Sequence, residues 1–121
     1  MKLIMLAVKY DGLKLLLLRR TMPELRENHI LPLMALLKDY AKYNSDQKAF
    51  LFPNGSRLVC GYCDSDSDVM QYQGIEMDVI AFEEATNFKE EWIRFISSCL
   101  RTTRTDFKPR IYYTCNPKKN T

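Results

Sequence analysis

The sequence predicts an α/β fold in which a parallel sheet carries helices against it and a small β-hairpin is added. Two continuously apolar runs, residues 13–18 and 77–82, suit strands that are buried on both faces of a sheet. The segment that joins them is long enough for a crossover, and such connections are right-handed and make the two strands parallel. Asn54-Gly55 between extended, apolar-rich segments predicts the hairpin.

The chain opens with a predicted helix and strand. Residues 1–9 place apolar side chains on one face of a short helix, and an Asp-Gly turn follows at residues 11–12. The strand at residues 13–18 then ends abruptly in two arginines.

A longer helix is predicted to follow. Thr21 can cap its N-terminus, and Glu24 completes a capping-box pattern. We expect this helix to continue to about residue 42, with a kink near Pro32, where a backbone donor is lost. His29 lies within it without ligand partners nearby, so it is assigned a structural or exposed role.

The middle of the chain contains the hairpin and a polar loop. Residues 49–53 and 57–61 are the predicted hairpin arms. Residues 64–68 alternate Asp and Ser like the start of a calcium loop, but Val69 replaces the glycine of the sharp turn. Helix capping in a solvated loop is therefore the better interpretation.

The clearest predicted helix opens at a capping-box pattern from Asn87 to Glu90. Its apolar side chains recur at the spacing of one helix face, and they are Phe88, Trp92, Phe95, Ile96 and Cys99. This stripe is predicted to be core. A last strand is predicted at residues 110–114, and because no linker or repeat divides the chain, residues 1–121 are predicted to form one domain.

Composition and charge exclude few classes of function. The net charge of +3 is too small to indicate nucleic-acid binding by itself, since a solvated face explains the basic residues equally well. Cys60 and Cys63 have the spacing of a zinc knuckle or redox motif, but a partner pair is missing. Residues three apart in a strand also face opposite sides, which favours free thiols. No apolar run approaches the ~20 residues of a membrane span, so we expect no membrane partner and a location in the cytoplasm.

Polar residues follow the predicted strands where each of them ends. Arg19 and Arg20 follow the first strand, Glu83 and Glu84 the second, and Asn116 lies just past the third. Ligands of parallel α/β sheets bind beyond the carboxyl ends of the strands. Adjacent carboxylates there need solvent or a compensating charge, and Mg²⁺ with phosphates is one such compensation. The two glutamates could equally begin a loop and favour the start of the next helix.

Two segments carry a resemblance to a known family. Residues 78–86, Asp-Val-Ile-Ala-Phe-Glu-Glu-Ala-Thr, resemble a Walker B strand with its catalytic glutamate. Residues 112–117, Tyr-Tyr-Thr-Cys-Asn-Pro, resemble the coupling motif of phage terminase large subunits. Stretches at residues 16–25, 52–57 and 72–74 are similar to these enzymes in the same order, so the resemblance covers nearly the whole chain. It implies a partial core of the P-loop NTPase type (RecA/ASCE).

The resemblance implies roles for particular residues. Glu84 would be the catalytic glutamate. Glu83 would assist it from the metal side by holding Mg²⁺ through water, although the family usually has Asp at this position. Thr114 and Asn116 would sense the γ-phosphate and couple hydrolysis to movement.

The resemblance also implies ligands and partners. The family is an ATP-driven motor that packages double-stranded DNA into capsids in the bacterial host, with Mg²⁺ and ATP as ligands. Its partners are DNA, the portal and the small terminase subunit. Arg19 and Arg20 are candidate contacts for phosphate or DNA, and solvated strand-end positions are the alternative.

A phosphate-binding loop of the form Gly-x-x-x-x-Gly-Lys-Ser/Thr does not occur in the 121 residues. Residues 1–9 resemble the helix that directly follows this loop in the family, and the nuclease domain of the family is absent. We therefore expect a partial terminase ATPase core that binds no nucleotide on its own and is inactive alone.

Three alternatives remain open from the sequence. Residues 83–86 are also similar to the Asp-Glu-Ala-x box of helicases. A small binding or assembly protein could self-associate through an apolar edge exposed beside residues 13–18. A metal-dependent nuclease could use carboxylates from residues 64–78 together with Glu83 and Glu84, although no spacing brings those groups together.

Overall fold

The computed structural model describes residues 2–101 and 104–114 of the chain. Six strands of this part form one sheet in the order β2-β3-β4-β1-β5-β6. The strands are β1 (Lys14–Arg19), β2 (Lys42–Asn44), β3 (Ala49–Leu51), β4 (Arg57–Tyr62), β5 (Val79–Phe82) and β6 (Arg110–Tyr113). The helices are α1 (Lys2–Lys9), α2 (Met22–Leu25), α3 (Leu31–Leu36), α4 (Asp66–Met70) and α5 (Glu90–Ser97). The predicted α/β class is confirmed.

The strand pairing follows the predicted topology. β1 lies between β4 and β5 and is parallel to both, and β6 is parallel to β5. β3 and β4 form the antiparallel hairpin that Asn54-Gly55 predicts. β2, which pairs antiparallel with β3, was not predicted from the sequence.

The sheet has two covered faces, which the alternation of side chains along each strand separates. Leu15 and Leu17 of β1 pack on the first face, with the helices α1, α2 and α3. Leu16 and Leu18 pack on the second face, with α4 and α5. The run is apolar at every position because successive residues face opposite helical layers, and both layers are buried.

The long helix predicted after β1 is shorter and more irregular than expected. α3 ends at Leu36, and the chain then turns into β2. Tyr43 of β2 packs on Phe50 of β3, with ring centroids 4.8 Å apart, so pairing in the sheet competes successfully with helix extension. A π-helical segment, Arg26–Ile30, lies directly before α3, whose first turn contains Pro32.

The two predicted capping boxes have different outcomes. Thr21 caps α2, since its hydroxyl oxygen accepts from the backbone N–H of Glu24 at 3.4 Å. The Glu24 carboxylate accepts from the Thr21 hydroxyl rather than from its backbone, so the reciprocal box does not form. The box at Asn87 is wrong: Ala85–Asn87 forms a 3-10 turn, and α5 begins only at Glu90. In this 3-10 turn the Glu84 carbonyl accepts a hydrogen bond from the Asn87 N–H at 2.9 Å.

Two of the alternative functions lose their structural basis. β1 is paired on both sides, so residues 13–18 offer no exposed edge for self-association. Asp78 lies at the start of β5, at the opposite end from Glu83, and its buried carboxylate accepts from the Lys14 N–H at 3.0 Å. Asp78 therefore cannot share a nuclease site with Glu83 and Glu84, and in the described residues no three His, Cys, Asp or Glu side chains converge on a possible metal site. Among the described residues, no helix is both long and apolar enough to cross a membrane.

Cys60 and Cys63 are buried free thiols on opposite faces of the sheet. Burial raises the pKa of each thiol to about 12. Because a thiolate is the reactive form, its fraction at pH 8 falls roughly a thousand-fold below that of an ordinary cysteine. We expect neither residue to react with iodoacetamide at pH 8, and both to react in urea, as mapped by mass spectrometry. Labelling of either residue in the folded protein near pH 9 would contradict this expectation.

Candidate functional site

Three parallel strands end side by side and bring their following residues together. Leu18, Phe82 and Tyr113 occupy one level of the sheet, in β1, β5 and β6. The hydrogen-bond ladder continues one residue further, because Glu83 N donates to Leu18 O at 2.9 Å and Thr114 N donates to Phe82 O at 3.0 Å. We call the group formed by Arg19, Glu83, Glu84 and Thr114 the carboxyl edge.

Thr114 connects the two glutamates of the carboxyl edge. Its hydroxyl donates to Glu83 Oε2 at 2.7 Å and accepts from the backbone N–H of Glu84 at 3.0 Å. The Thr114 carbonyl also accepts from Ala85 N at 2.8 Å. The residue that the resemblance assigns to coupling is therefore bonded directly to the segment that carries both carboxylates.

Glu84 adopts a backbone conformation that is unfavourable for a residue with a side chain. Its φ of 54° lies in the left-handed region, which costs on the order of 1–3 kcal/mol and is found mainly where the surroundings enforce it. The hydrogen bonds that Glu84 N and Ala85 N donate to Thr114 hold the backbone in this conformation. They turn the chain sharply after β5 and keep the Glu84 carboxylate at the carboxyl edge.

Arg19 is an ion-pair partner of this edge, not a solvated strand end. Its guanidinium lies 3.0 Å from Glu84 Oε2 and 3.4 Å from Glu24 Oε2, and its side chain is only 12% exposed. The positive charge of Arg19 compensates for the carboxylates of Glu84 and Glu24, which would otherwise be costly so close to an apolar strand.

Arg20 lies apart from the carboxyl edge. Side chains alternate along β1, so Arg19 projects to the first face and Arg20 to the second. The Arg20 guanidinium forms an ion pair with Asp64 at 3.2 Å and stacks on the ring of Trp92, 5.1 Å from its centroid. Of the two arginines named from the sequence, the structure brings only Arg19 to the carboxylates. Asn116 lies outside the described residues.

His29 is the residue near this edge that the sequence analysis did not select. It is 8% exposed and lies in the π-helical segment, and its Nε2 atom has no hydrogen-bond partner among the described residues. Burial lowers the pKa of His29, and Arg19 lowers it further, while Glu83 and Glu84 raise it; the net change is downward. A signal was present in the sequence, because the buried residues Leu25 and Leu33 lie four residues before and after it on one helix face.

The oxygen atoms of the carboxyl edge fit the preferences of Mg²⁺. Magnesium is commonly held by one or two carboxylates, with waters and substrate phosphates completing its shell. Glu83 and Glu84 supply carboxylates, and Thr114 adds a hydroxyl oxygen. In the described part of the chain, no three His, Cys, Asp or Glu side chains converge into a metal cage. Any metal at this edge would therefore depend on water and ligand oxygens.

The whole chain, residues 1–121, matches the family described as phage terminase large subunit. The carboxyl edge lies at the strand ends of an α/β fold with a mostly parallel six-stranded sheet. The chain is a member of the phage terminase large subunit family. A search of the curated proteins by sequence gave no significant match.

Solved structures of phage packaging proteins share the fold. The large terminase of a thermophilic bacteriophage (crystal form 2) is 19% identical, with a TM-score of 0.73. The same terminase in complex with ADP is 18% identical, with a TM-score of 0.72. The bacteriophage Phi-29 genome packaging motor assembly is 15% identical over 91% of this chain and 36% of that chain, with a TM-score of 0.54. The two matches to the thermophilic-phage terminase cover 96% of this chain but only 29% of the terminase chain.

Proposed function

We propose that this chain provides the hydrolysis and coupling edge of an ATP-driven DNA-packaging motor. The observation that carries the proposal is the 2.7 Å hydrogen bond from Thr114 to Glu83, which joins the end of β6 to the end of β5. Membership of the terminase family and the fold shared with an ADP-bound terminase support it.

Each residue of the edge has a proposed task. Glu84 is the catalytic base that orients the attacking water, a task that requires a carboxylate held in place. Glu83 holds the water shell of Mg²⁺, which when bound neutralises charge on the phosphates. Thr114 touches both carboxylate-bearing residues, so a shift of either is transmitted to β6. Asn116 completes the coupling motif in this proposal.

Without ligand, the positive charge of Arg19 offsets the negative charge of the glutamates at the carboxyl edge. Its ion pair holds the Glu84 carboxylate in place, and this pair must loosen if Glu84 is to face a water molecule. Duplex DNA, the portal and the small terminase subunit are the proposed partners of the complete motor, acting in the host cytoplasm.

The missing phosphate-binding loop limits what these 121 residues do alone. That loop supplies backbone N–H groups and a lysine to the phosphates, and the carboxyl edge has no equivalent donor set in the described residues. We expect no ATP turnover, and nucleotide binding weaker than about 1 mM, a free energy of about −4 kcal/mol.

Paramagnetic NMR tests the proposal, because a bound Mn²⁺ ion broadens nearby signals even when binding is weak. With Mn²⁺ and ADP, we expect selective broadening of the amide signals of Glu83, Glu84 and Thr114. The substitutions Glu83→Gln and Glu84→Gln should each reduce this broadening, since each removes a metal-attracting charge. Glu76→Gln is the matched control, because Glu76 is exposed and lies at the other end of β5.

One result would count against the proposed site, and another against the expected weak binding. Equal broadening in the wild type and in the Glu83→Gln and Glu84→Gln variants would show that the metal lies elsewhere. Sub-millimolar one-site binding in a calorimetric titration with Mg²⁺ and ATP would show that the missing loop is not decisive.

A further inference from the structure

His29 contains a buried nitrogen atom for which residues 2–101 and 104–114 provide no hydrogen-bond partner. In the described part of the chain, only His29 Nε2 and Ser97 Oγ are buried side-chain polar atoms with no hydrogen bond. Burying a polar atom without a hydrogen bond destabilises the folded state. In native proteins such an atom commonly marks a catalytic group or the site of a water molecule or ion. The imidazole therefore has a hydrogen bond to offer that no described residue takes up.

The position of His29 indicates what that partner is. Arg19, Glu83 and Thr114 continue the alternation of Leu17, Ala81 and Tyr112, so all three project to the first face of the sheet. The π-helical segment that holds His29 packs on the same face through Ile30. π-helical turns are rare and are frequently found at functional sites.

The charges that act on the imidazole are those of the carboxyl edge. They are Glu83 and Glu84, which follow β5, and Arg19 at the end of β1. His29 is thus within the electrostatic reach of both carboxylates. It lies in the helical stretch that follows β1, after Arg19 and Arg20.

We propose that His29 is a ligand-binding residue of the carboxyl edge, and that its Nε2 atom hydrogen-bonds to an oxygen atom of a metal–phosphate ligand. The inference rests on the proposed function, because it uses the same ligand. The oxygen belongs either to a metal-bound water molecule or to a phosphate group. Since Nε2 is covered in the free protein, the bond forms when a side chain of the edge moves on ligand entry.

The sequence makes this inference simple to test, because His29 is the one histidine of the chain. In protein labelled with ¹⁵N-histidine, every imidazole signal belongs to it. We would titrate this protein with Mg²⁺ alone, with inorganic phosphate alone, and with Mg²⁺ and ADP together. A shift of the Nε2 signal with Mg²⁺ alone identifies the metal-bound water as the partner, and a shift with phosphate alone identifies the phosphate.

The outcomes separate this inference from the proposed function. If Mn²⁺ and ADP broaden Thr114 while the Nε2 signal stays unchanged in every titration, the site stands and the role of His29 is wrong. If nothing at the edge responds to any ligand, both fail. Without ligand, Glu83→Gln should shift the Nε2 signal and Glu76→Gln should not. Equal effects of the two substitutions would also overturn the role of His29.

Two variants at position 29 distinguish ligand binding from a structural role. His29→Phe fills the same space and removes the unpaired nitrogen, so we expect unchanged or higher stability in urea unfolding together with weaker broadening by Mn²⁺ and ADP. His29→Gln keeps a polar nitrogen and should retain most of the broadening. Loss of stability in His29→Phe with full broadening would indicate a purely structural histidine.

Discussion

Replacing Gly61 by alanine is expected to lower the free energy of unfolding by about 2–3 kcal/mol, the cost of overpacking a close-packed core. A Cβ atom at this position in β4 would lie 2.1 Å from the Tyr72 hydroxyl oxygen and 3.1 Å from a methyl carbon of Leu18. Tyr72 cannot swing away freely, because it is buried and its hydroxyl donates to the Tyr62 carbonyl at 3.3 Å. Urea unfolding followed by circular dichroism would measure the loss.

A double-mutant cycle with Tyr72→Phe identifies the cause of this loss. Removing the hydroxyl alone should cost about 1 kcal/mol, the worth of one hydrogen bond. It also removes the atom nearest to the new methyl group, so the double variant should be more stable than the sum of the two single effects predicts. Strict additivity would mean that the clash with Tyr72 is not the reason. Gly61 has no positive φ, so backbone strain does not complicate the result.

The second expected result concerns Ser56, whose replacement by alanine should cost about 1–3 kcal/mol. Its side chain is 1% exposed, and its hydroxyl oxygen accepts from the backbone N–H of Leu13 at 3.1 Å. The same hydroxyl lies 2.8 Å from Ala7 O and 2.7 Å from Tyr10 O, so it can donate to either carbonyl at the end of α1. The variant leaves the Leu13 N–H buried without an acceptor.

The neighbouring Asn54 limits the damage of this substitution. Its side-chain amide donates to the Ala7 carbonyl at 2.8 Å and approaches the Tyr10 carbonyl at 3.4 Å, so both acceptors keep a donor in the Ser56→Ala variant. The control is Ser45→Ala in an exposed turn, which should change stability by less than about 0.5 kcal/mol. Equal unfolding midpoints for the two variants would mean that the Ser56 hydroxyl does not hold α1 against the hairpin.

The central strands of the fold could be predicted because each of them is an apolar run in the sequence. Residues 15–18 and 79–82 are buried at every position, and only a strand with covered faces on both sides requires such a run. The end of α3 could not be predicted in this way. Residues 37–44 leave the helix because β2 has a partner in β3, and that partner becomes available only when the hairpin is placed in the sheet.

The candidate site was predicted in part. The predicted strand ends placed Arg19, Arg20, Glu83, Glu84 and Asn116 at one edge, whereas only the family resemblance pointed to Thr114. The structure places Thr114 within hydrogen-bond distance of Glu83. The alternation of β1 could have separated Arg19 from Arg20 in advance, because it needs only a period of two. Burial of His29 could have been anticipated from Leu25 and Leu33, but its unpaired nitrogen could not, since that depends on every neighbour around the ring.

The sequence by itself determined the buried strands, the family of the protein, the polar residues that follow each strand, and the lack of a phosphate-binding loop in these residues. Only the tertiary structure decided that Thr114 bonds to Glu83, that Arg19 pairs with Glu84, and that the buried His29 is within the electrostatic reach of both glutamates. The physical reason is that residue patterns report the local periodicity of burial, whereas these contacts depend on the lateral order of β1, β5 and β6 in the sheet. That order is fixed by the packing of helices far apart in the chain.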